Sequence, residues 1–427
     1  MKIGNFKKEK NDNRTRVAAT VTWEDSNRPT MEIYFETEQK FAADISCNPH
    51  AFLVACLIPA MRFGEKRISI DAAICPDLHK GLVTAMGVIC NWYDWYTIDN
   101  NLVRIEGKKQ DYIPDSTNGK RAGFLFSGGI DSLSTLRSNR LYYSKEHPGY
   151  IKDGLFVCGL EVRERENFEP VLGLLSTLAQ DADVTLVPVY TNIIVLGPEE
   201  SAAFWSDFWI HEYMGATFAS IAHLFSNRIG VLSINSCHDI PNLMPYGSHP
   251  LLNPMYSSSD LRIRHEGIHL SRFEKVKLIS EWDFALQHLR VCNDSKYYRA
   301  GMLNCANCEK CVRTMLALLA CGALEKSRAF PINNVNRELV SHAVHLGTNT
   351  LPLYIELLEP LAKVGRTDLV QVIDEKISKF YRHQKIDKWR GRTIEPIKEF
   401  DRKYLSGRLK KLKNSIMIKI REDSYDN

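Results

Sequence analysis

Residues 122–132 read AGFLFSGGIDS, a short apolar run that stops at a serine and two glycines. The apolar part is typical of a buried strand, and the pattern that follows the glycines is typical of a helix. Comparable strand patterns recur at 154–160, 184–190 and 230–234, with apolar-faced helical patterns between them. Strands that alternate with helices in this way predict an α/β fold, a doubly wound parallel sheet.

The SGGIDS segment predicts a phosphate-binding loop. Gly128 and Gly129 allow a tight turn and a close approach of the backbone to a phosphate. The hydroxyls of Ser127 and Ser132 can donate to phosphate oxygens, and the following helix points its positive end at them. Asp131 is a carboxylate in a cradle for anions, which predicts a Mg²⁺ ion bridging the phosphates. A glycine turn with a serine helix cap is the alternative, but the complete hexapeptide favours nucleotide binding.

This loop resembles the SGGxDS signature of the PP-loop ATP pyrophosphatases, which cleave ATP between its α and β phosphates. The resemblance implies adenylation of a substrate oxygen, followed by displacement of AMP by a nitrogen or sulfur nucleophile. It implies catalytic roles for Ser127, Asp131 and Ser132. The residues expected to bind ATP and its metal ion are Ser127, Gly128, Gly129, Ile130, Asp131, Ser132, Glu161 and Arg163. A solvated surface position is the alternative for Arg163.

Four of the eleven cysteines, Cys292, Cys305, Cys308 and Cys311, form the pattern C-x12-C-x2-C-x2-C. The two-residue gaps let three thiolates face one ion from a turn and the start of a helix, and the longer loop supplies the fourth. Because four thiolates leave no open coordination position, the sequence predicts a structural zinc site. An iron–sulfur cluster is the main alternative. The odd number of cysteines argues against a pure disulfide framework.

Together the two motifs resemble the 7-cyano-7-deazaguanine synthase (QueC) branch of the PP-loop proteins, over about residues 121–324. Members of that family activate the carboxylate of 7-carboxy-7-deazaguanine with ATP, form an amide with ammonia, and dehydrate it to a nitrile. Residues 158–165, 210–215, 235–239 and 246–250 differ from the segments usual in that family. The resemblance therefore supports the use of ATP better than the identity of the acceptor.

The chain is also longer than an ordinary synthase at both ends. In this it is similar to the enlarged QueC-like proteins of bacterial anti-phage systems, including Qat and type IV CBASS. The likeness implies that a deazaguanine acid is joined to a protein amine. Three domains are predicted: an α+β accessory domain over residues 1–118, a PP-loop domain with the zinc site over 119–327, and a basic helical domain over 328–427.

A polar stretch rich in Pro, Asn, Ser, Gly and His covers residues 237–270 and predicts an irregular loop. It follows the predicted strand at 230–234, and ligands bind beyond the carboxyl ends of such strands. Four residues of this region are expected to read a purine-like base: Asn235, Tyr246, Ser248 and His249. Ordinary hydrogen bonding within the loop is an equal alternative for them.

The net charge of +4 is unevenly distributed along the 427 residues. Residues 376–421 contain 16 Lys and Arg against four acidic residues. A solvated helix face is the favoured interpretation, and contact with nucleic acid or an acidic partner is the alternative. Apolar runs such as 51–61 are about half of what a membrane span needs, and the first residues show no signal peptide. A cytoplasmic location is expected; the oligomeric state stays open, with a homodimer as one alternative.

The sequence thus predicts an ATP-dependent, Mg²⁺-requiring, zinc-containing ligase that joins a deazapurine carboxylate to ammonia or a protein amine. Two alternatives remain. The first is a tRNA-modifying PP-loop thiolase, which the basic C-terminal region favours. The second is an ATP-binding subunit of a defence complex without turnover, against which the intact SGGIDS motif argues.

Overall fold

The computed structural model of the chain describes residues 1–93, 102–109, 119–160, 162, 167–198, 207–292 and 302–404, with side chains up to residue 386. The chain divides into two units, Met1–Val335 and Asn336–Asn427. Within the described residues, no helix combines the length and the apolar character that a membrane span requires.

The first unit is built on one mixed sheet, to which ten of the described strands belong. The sheet order is β10-β9-β6-β7-β8-β3-β2-β1-β4-β5. The strands are β1 Lys2–Asn11, β2 Arg14–Thr22, β3 Met31–Glu38, β4 Arg67–Ile74, β5 Arg104–Lys109, β6 Arg121–Leu125, β7 Ile151–Cys158, β8 Thr185–Thr191, β9 Ile229–Asn235 and β10 Arg262–Glu266.

Helices flank this sheet. The α-helices of the first unit are α1 Pro49–Arg62, α2 Pro76–Trp92, α3 Ile130–Tyr142, α4 Phe168–Asp181, α5 Met214–Leu224, α6 Arg272–Ser280, α7 Asp283–His288 and α8 Glu309–Ala320. The apolar run at 51–61 lies on α1, where every residue of the run is buried. Burial on all sides explains why this helix has no polar face.

Strands β6 to β10 form the predicted parallel α/β arrangement. All four pairings among them are parallel: β10 with β9, β9 with β6, β6 with β7, and β7 with β8. Strand β7 is buried on both faces, as parallel strands covered by helices are. The chain order reverses between β6 and β9, which are neighbours although β7 and β8 come between them in sequence. Ligands bind at such switch points in doubly wound sheets.

The prediction of a wholly irregular stretch at residues 237–270 was wrong in one respect, because it contains β10. This strand pairs in parallel with β9 and forms one end of the sheet. Its sequence, RIRHE, has a single apolar residue, Ile263, and that residue alone is buried. An edge strand with one covered position gives no alternating apolar pattern, which explains why sequence patterning missed it.

The first three strands extend the same sheet. Strand β3 pairs antiparallel with β8, so the N-terminal strands and the α/β strands share a continuous ladder of hydrogen bonds. The predicted domain boundary at residue 118 falls inside this sheet, and Met1–Val335 forms one unit. The predicted boundary at residue 327 lies eight positions before the division that follows Val335.

The second unit is helical, as the pattern predicts. Its described helices are α9 Arg337–Ala343, α10 Leu351–Ile355, α11 Leu358–Lys363 and α12 Thr367–Tyr404. Lys376 of α12 donates to the carbonyls of Ser341 and Val344 at 2.7 and 2.8 Å, which satisfies the end of α9. Residues 376–404 of the basic segment 376–421 belong to α12, and residues 405–427 lie outside the described part of the chain.

A buried ion pair links the N-terminal strands to the α/β strands. Asp153 on β7 is fully buried and accepts from Nε and Nη2 of Arg228 at 3.0 and 2.8 Å. The Nη1 atom of Arg228 donates to Asp44 at 3.0 Å. Because Asp44 follows β3 and Arg228 precedes β9, this arginine ties together segments that are far apart in sequence.

We expect Asp153→Ala to lower the free energy of unfolding by about 3 kcal/mol, because it leaves a largely buried guanidinium without one of its carboxylates. The matched control is Lys145→Ala, which breaks the exposed pair of Lys145 with Asp183. That change is expected to have little effect on the free energy of unfolding, because the pair is exposed to solvent. Urea unfolding measures both. Equal losses for the two variants would contradict the structural role of Asp153.

Candidate functional site

The SGGIDS loop connects β6 to α3 at the switch point of the sheet. Gly128 has a φ of +74°, a left-handed conformation that glycine adopts without strain. A Cβ atom at this position would lie 2.8 Å from Cδ2 of Leu175, so a side chain here would also require Leu175 to move. The sequence prediction of a tight glycine turn at this position is therefore matched by the backbone.

The two predicted serines face each other across the turn. The Ser127 hydroxyl lies 3.4 Å from that of Ser132 and accepts from the backbone N–H of Gly129 at 3.3 Å. Ser132 is fully buried, and its hydroxyl donates to the carbonyl of Gly129 at 3.0 Å. Ser127 is the more accessible of the two, so it is the hydroxyl that a ligand can reach.

Asp131 lies at the start of α3 in an ion cluster with two residues of α6. Its carboxylate contacts Arg272 at 2.9 Å and Lys275 at 3.2 Å. Lys275 is 1% exposed and also donates to the carbonyl of Ser236 at 2.7 Å. Burial raises the pKa of Asp131, but the two cations outweigh this effect and hold the pKa below its usual value. The three ionised groups together leave one net positive charge.

The first turn of α6 is fixed by its own sequence. The Ser271 hydroxyl accepts from the N–H of Glu274 at 3.2 Å, and the Glu274 carboxylate accepts from the N–H of Ser271 at 2.7 Å. This capping box begins the helix at Arg272 and so determines where Arg272 and Lys275 lie. Neither Arg272 nor Lys275 is a site candidate by sequence pattern, although the Ser-x-x-Glu pattern of the cap is visible at residues 271–274.

Arg290 holds the loop from the side of the cysteine cluster. Its backbone N–H donates to the carbonyl of Gly128 at 2.9 Å, and its guanidinium donates to the carbonyl of Ser127 at 3.2 Å. Arg290 is 3% exposed and lies two residues before Cys292. No local pattern marks this arginine, because its partners are about 160 residues earlier in the chain.

A cavity of about 190 Å³ opens beside the loop, at the carboxyl ends of β6, β7 and β9. Its polar lining contains Ser127 and Asp131, and much of the rest is apolar or aromatic. The lining residues are Leu125, Phe126, Ser127, Asp131, Leu155, Phe156, Val157, Leu160, Trp209, Met214, Phe218, Ile234, Asn235, Cys237, Tyr246 and Lys310. A mainly apolar pocket with a few convergent polar groups is the usual form of a small-molecule site.

Two of the four predicted base-reading residues line this cavity. Asn235 donates from Nδ2 to the carbonyl of Leu125 at 2.7 Å, and its Oδ1 is buried with no hydrogen-bond partner among the described residues. Tyr246 packs edge-to-face on His238. Ser248 and His249 lie elsewhere: the Ser248 hydroxyl accepts from Asn253 at 3.0 Å.

His249 is engaged outside the cavity. Its Nδ1 accepts from the N–H of Leu251 at 3.1 Å, and its ring packs edge-to-face against Trp92 with centroids 4.8 Å apart. Burial lowers the pKa of His249, so the neutral ring suits this packing. Two further predicted ATP contacts, Glu161 and Arg163, lie outside the described residues.

The four predicted cysteines form one cluster. The sulfur atoms of Cys292, Cys305, Cys308 and Cys311 all lie within 4.8 Å of one another, and this cluster could hold a metal such as zinc. The Cys308–Cys292 and Cys305–Cys311 sulfur distances are 3.8 and 3.9 Å. Four sulfurs about 2.3 Å from one tetrahedral ion would be separated by about 3.8 Å. The four thiolates of an iron–sulfur cluster are distributed over two or four iron atoms, so all four do not lie as close together as around one ion. The spacing seen here fits one ion.

Two features of the chain support this cluster. The backbone N–H groups of Asn307 and Cys308 donate to the Cys305 sulfur at 3.4 and 3.3 Å. Asn304, which is 2% exposed, accepts from the N–H groups of Val291 and Cys292 at 2.8 and 3.1 Å. This asparagine therefore joins the segment of the first cysteine to that of the other three. This role of Asn304 could not be predicted from the sequence, because an isolated asparagine gives no indication of its contacts.

Crowding of the thiols changes their acidity. The neighbouring Cys292 thiol is the largest cause that raises the pKa of Cys308, to about 12. A bound cation acts in the opposite direction, because the thiolate is the form that binds metal. The donor set and its spacing thus fit a divalent ion with a preference for sulfur.

Comparisons of the chain with protein-family models, curated proteins and solved structures gave no match. The resemblance to PP-loop and QueC-like enzymes therefore rests on two motifs of this sequence, SGGxDS and C-x12-C-x2-C-x2-C. The structure shows that both motifs belong to one unit and that Arg290 connects them.

We expect the purified protein to contain one metal ion per chain, and Cys308→Ser to lose it. Loss of the ion is expected to lower the melting temperature by about 5 °C or more, because metal binding contributes to folding. The matched control is Cys321→Ser, which changes a cysteine at the end of the same helix, outside the cluster. Elemental analysis and thermal unfolding measure both effects. Wild-type protein that contains no metal and melts at the same temperature as Cys308→Ser would refute the site.

Proposed function

We propose that this chain is an ATP-dependent, QueC-like ligase that adenylates a 7-carboxy-7-deazaguanine-type carboxylate and joins it to ammonia or a protein amine. One observation carries the proposal: the SGGIDS loop lies at the switch point of a doubly wound sheet, beside the basic side chains of α6 and a cavity of about 190 Å³. A glycine loop, basic groups and a helix N-terminus are the elements of a phosphate site.

The charges around the loop suit a polyphosphate. Arg272 and Lys275 exceed the charge of Asp131 by one, and Arg290 adds a further cation behind the loop. ATP brings anionic oxygens that Arg272 and Lys275 can bind in place of the Asp131 carboxylate. Asp131, Mg²⁺ and the phosphates would then form one ionic cluster, in which the Mg²⁺ neutralises the charge of the leaving pyrophosphate.

The cavity suits a heterocyclic acid. Trp209, Phe218 and Tyr246 supply aromatic faces or edges, against which a flat bicyclic ring can pack. The Oδ1 atom of Asn235, a residue of the cavity lining, is a buried acceptor that lacks a partner among the described residues. A small turn of this side chain toward the cavity would let a ring N–H or amino group satisfy it. A deazaguanine has such donors on its pyrimidine edge.

The proposed reaction has two balanced steps. In the first, a carboxylate oxygen forms a bond to the α-phosphorus, the bond from that phosphorus to the bridging oxygen breaks, and pyrophosphate leaves. In the second, the amine nitrogen forms a bond to the acyl carbon, AMP leaves with the electron pair of the C–O bond, and the nitrogen gives up a proton. The protein contributes alignment of the two reactants and stabilisation of the developing negative charge.

The zinc ion would be structural in this scheme. Four cysteine ligands complete a tetrahedral shell, so no position remains for a substrate or a reactive water. Its effect on the reaction passes through the chain, because Cys292 follows the arginine that holds the loop. A role in bacterial anti-phage defence, with a protein amine as acceptor, follows from the resemblance to the enlarged QueC-like proteins.

We expect Asp131→Asn to lower the rate of ATP-dependent pyrophosphate release by about 100-fold or more, because the charge at the reacting phosphates is then unbalanced. The assay contains ATP, Mg²⁺, 7-carboxy-7-deazaguanine and ammonia, and it measures pyrophosphate and AMP. Asp183→Asn is the matched control, since Asp183 is an exposed residue that pairs with Lys145.

Omission of the deazaguanine acid tests the alternative of an ATP-binding subunit. The ligase is expected to release pyrophosphate only when the acid is present. Binding of ATP without any release, in the presence of the acid and of either amine donor, would favour the subunit without turnover.

Cys237 is the observation that favours the other alternative, a tRNA-modifying thiolase. It lines the cavity near Asp131, where a sulfur carrier would need to be. Burial and the charge of Asp131 raise the pKa of its thiol, which disfavours the reactive thiolate. The ligase is therefore the function that we propose.

We expect Cys237→Ser to retain pyrophosphate release, with a loss of less than about tenfold, because no covalent bond to sulfur is needed in the ligase reaction. A thiolase that carries sulfur on this residue would lose transfer to its acceptor altogether. Complete inactivity of a folded Cys237→Ser variant would therefore contradict the ligase mechanism.

A further inference from the structure

The cysteine cluster and the cavity share one helical turn. Helix α8 begins at Glu309, directly after the ligand Cys308, and Cys311 lies in its first turn. Lys310 stands between these two cysteines and lines the cavity together with Ser127 and Asp131. The cavity is thus bounded by the phosphate-binding loop on one side and by the start of the metal-binding helix on another.

The ammonium group of Lys310 has no hydrogen bond or ion pair with any described residue, and only the backbone carbonyl of Lys310 accepts, from the Thr314 hydroxyl at 2.8 Å. Its neighbour on the same helix differs. Arg313 pairs with Glu309 at 3.1 Å, so its charge is already compensated within the helix. The charge of Lys310 acts on the cavity wall: it lowers the pKa of Cys237, against the larger effect of burial. An uncompensated ammonium group at the rim of a cavity attracts an anionic ligand.

We propose that Lys310 is an anion-binding residue of this cavity, which contacts the pyrophosphate portion of the bound nucleotide and is positioned by the four-cysteine site. The inference rests on the proposed use of ATP, and it gives the cluster a second role. The metal does not touch the ligand. It fixes the turn that presents Lys310.

The position of Lys310 between two metal ligands explains how a bound metal ion can affect ligand binding. When Cys308 and Cys311 share an ion, the backbone between them is held at both ends, and the direction of the Lys310 side chain is set. Without the ion this turn keeps only the hydrogen bonds of α8 and the weak ones that Asn307 and Cys308 donate to the Cys305 sulfur. Ordering Lys310 then costs conformational entropy at the moment of binding, which weakens the contact.

The experiment uses the full-length, metal-loaded protein, with inorganic pyrophosphate and Mg²⁺ as the probe. Calorimetry measures the affinity of the protein for pyrophosphate. We expect Lys310→Ala to weaken pyrophosphate binding by about tenfold and Lys310→Arg to restore most of it, because both cations contact phosphate oxygens. Lys326→Ala is the control, since Lys326 is an exposed residue outside the cavity lining. Metal content is expected to stay at one ion per chain in all four proteins.

Removal of the metal from the wild-type protein and from Lys310→Ala tests whether the two changes act through the same contact. Wild-type protein without its metal is expected to lose about as much affinity as Lys310→Ala, and depletion of the variant is expected to add little. Losses that multiply would overturn the coupling between the cluster and Lys310. Loss of metal from Lys310→Ala itself would also overturn the assignment, because the effect would then belong to the cysteine site.

The outcomes also separate this inference from the proposed function. If the wild-type protein binds neither pyrophosphate nor ATP, the proposed function fails. If the wild-type protein binds pyrophosphate and Lys310→Ala binds it equally well, the role of Lys310 fails while the proposed function stands.

Discussion

The contact of Arg290 with the glycine loop is the constraint on which the rest of the site depends. A left-handed Gly128 leaves its carbonyl outside the strand ladder, and the backbone of Arg290 satisfies it at 2.9 Å. Two residues later the chain enters the cysteine cluster, where Asn304 secures the same segment. The loop therefore keeps its shape because the segment of Arg290, which is distant in sequence and leads into the cysteine cluster, packs against it.

Charge explains why this loop needs such support. The cluster of Asp131, Arg272 and Lys275 places ionised groups in a poorly solvated position, with Lys275 almost completely buried. Buried charges are tolerated when their partners are held in place, and removal of one partner is costly. The capping box of α6 holds the two cations and the turn of the loop holds the carboxylate. A ligand that replaces Asp131 as the partner of these cations must be strongly anionic.

The sequence predicted the parts of the site that are local in the chain. Short motifs predict the turn at Gly128 and the cysteine cluster, because the backbone geometry of the turn and the metal chemistry each depend on a few residues. Lys275 and Arg290 were missed, since their contacts depend on tertiary packing between segments more than a hundred residues apart. The roles of Ser248 and His249 stay predictions, and the structure places both outside the cavity. Strand β10 was missed because it is an edge strand with one buried residue.

The N-terminal strands complete the same sheet for a physical reason. Without them, β8 would be an edge strand, with a row of unpaired backbone groups open to aggregation. Antiparallel pairing with β3 covers that edge, and Thr37 and Thr191 add side-chain hydrogen bonds to the facing backbone at 2.8 and 2.9 Å. The buried Asp153–Arg228–Asp44 group fastens the two parts of the sheet again at a second point. Strands β1, β2 and β3 thus cover an edge of the sheet that carries the loop, which gives them a structural role in the first unit.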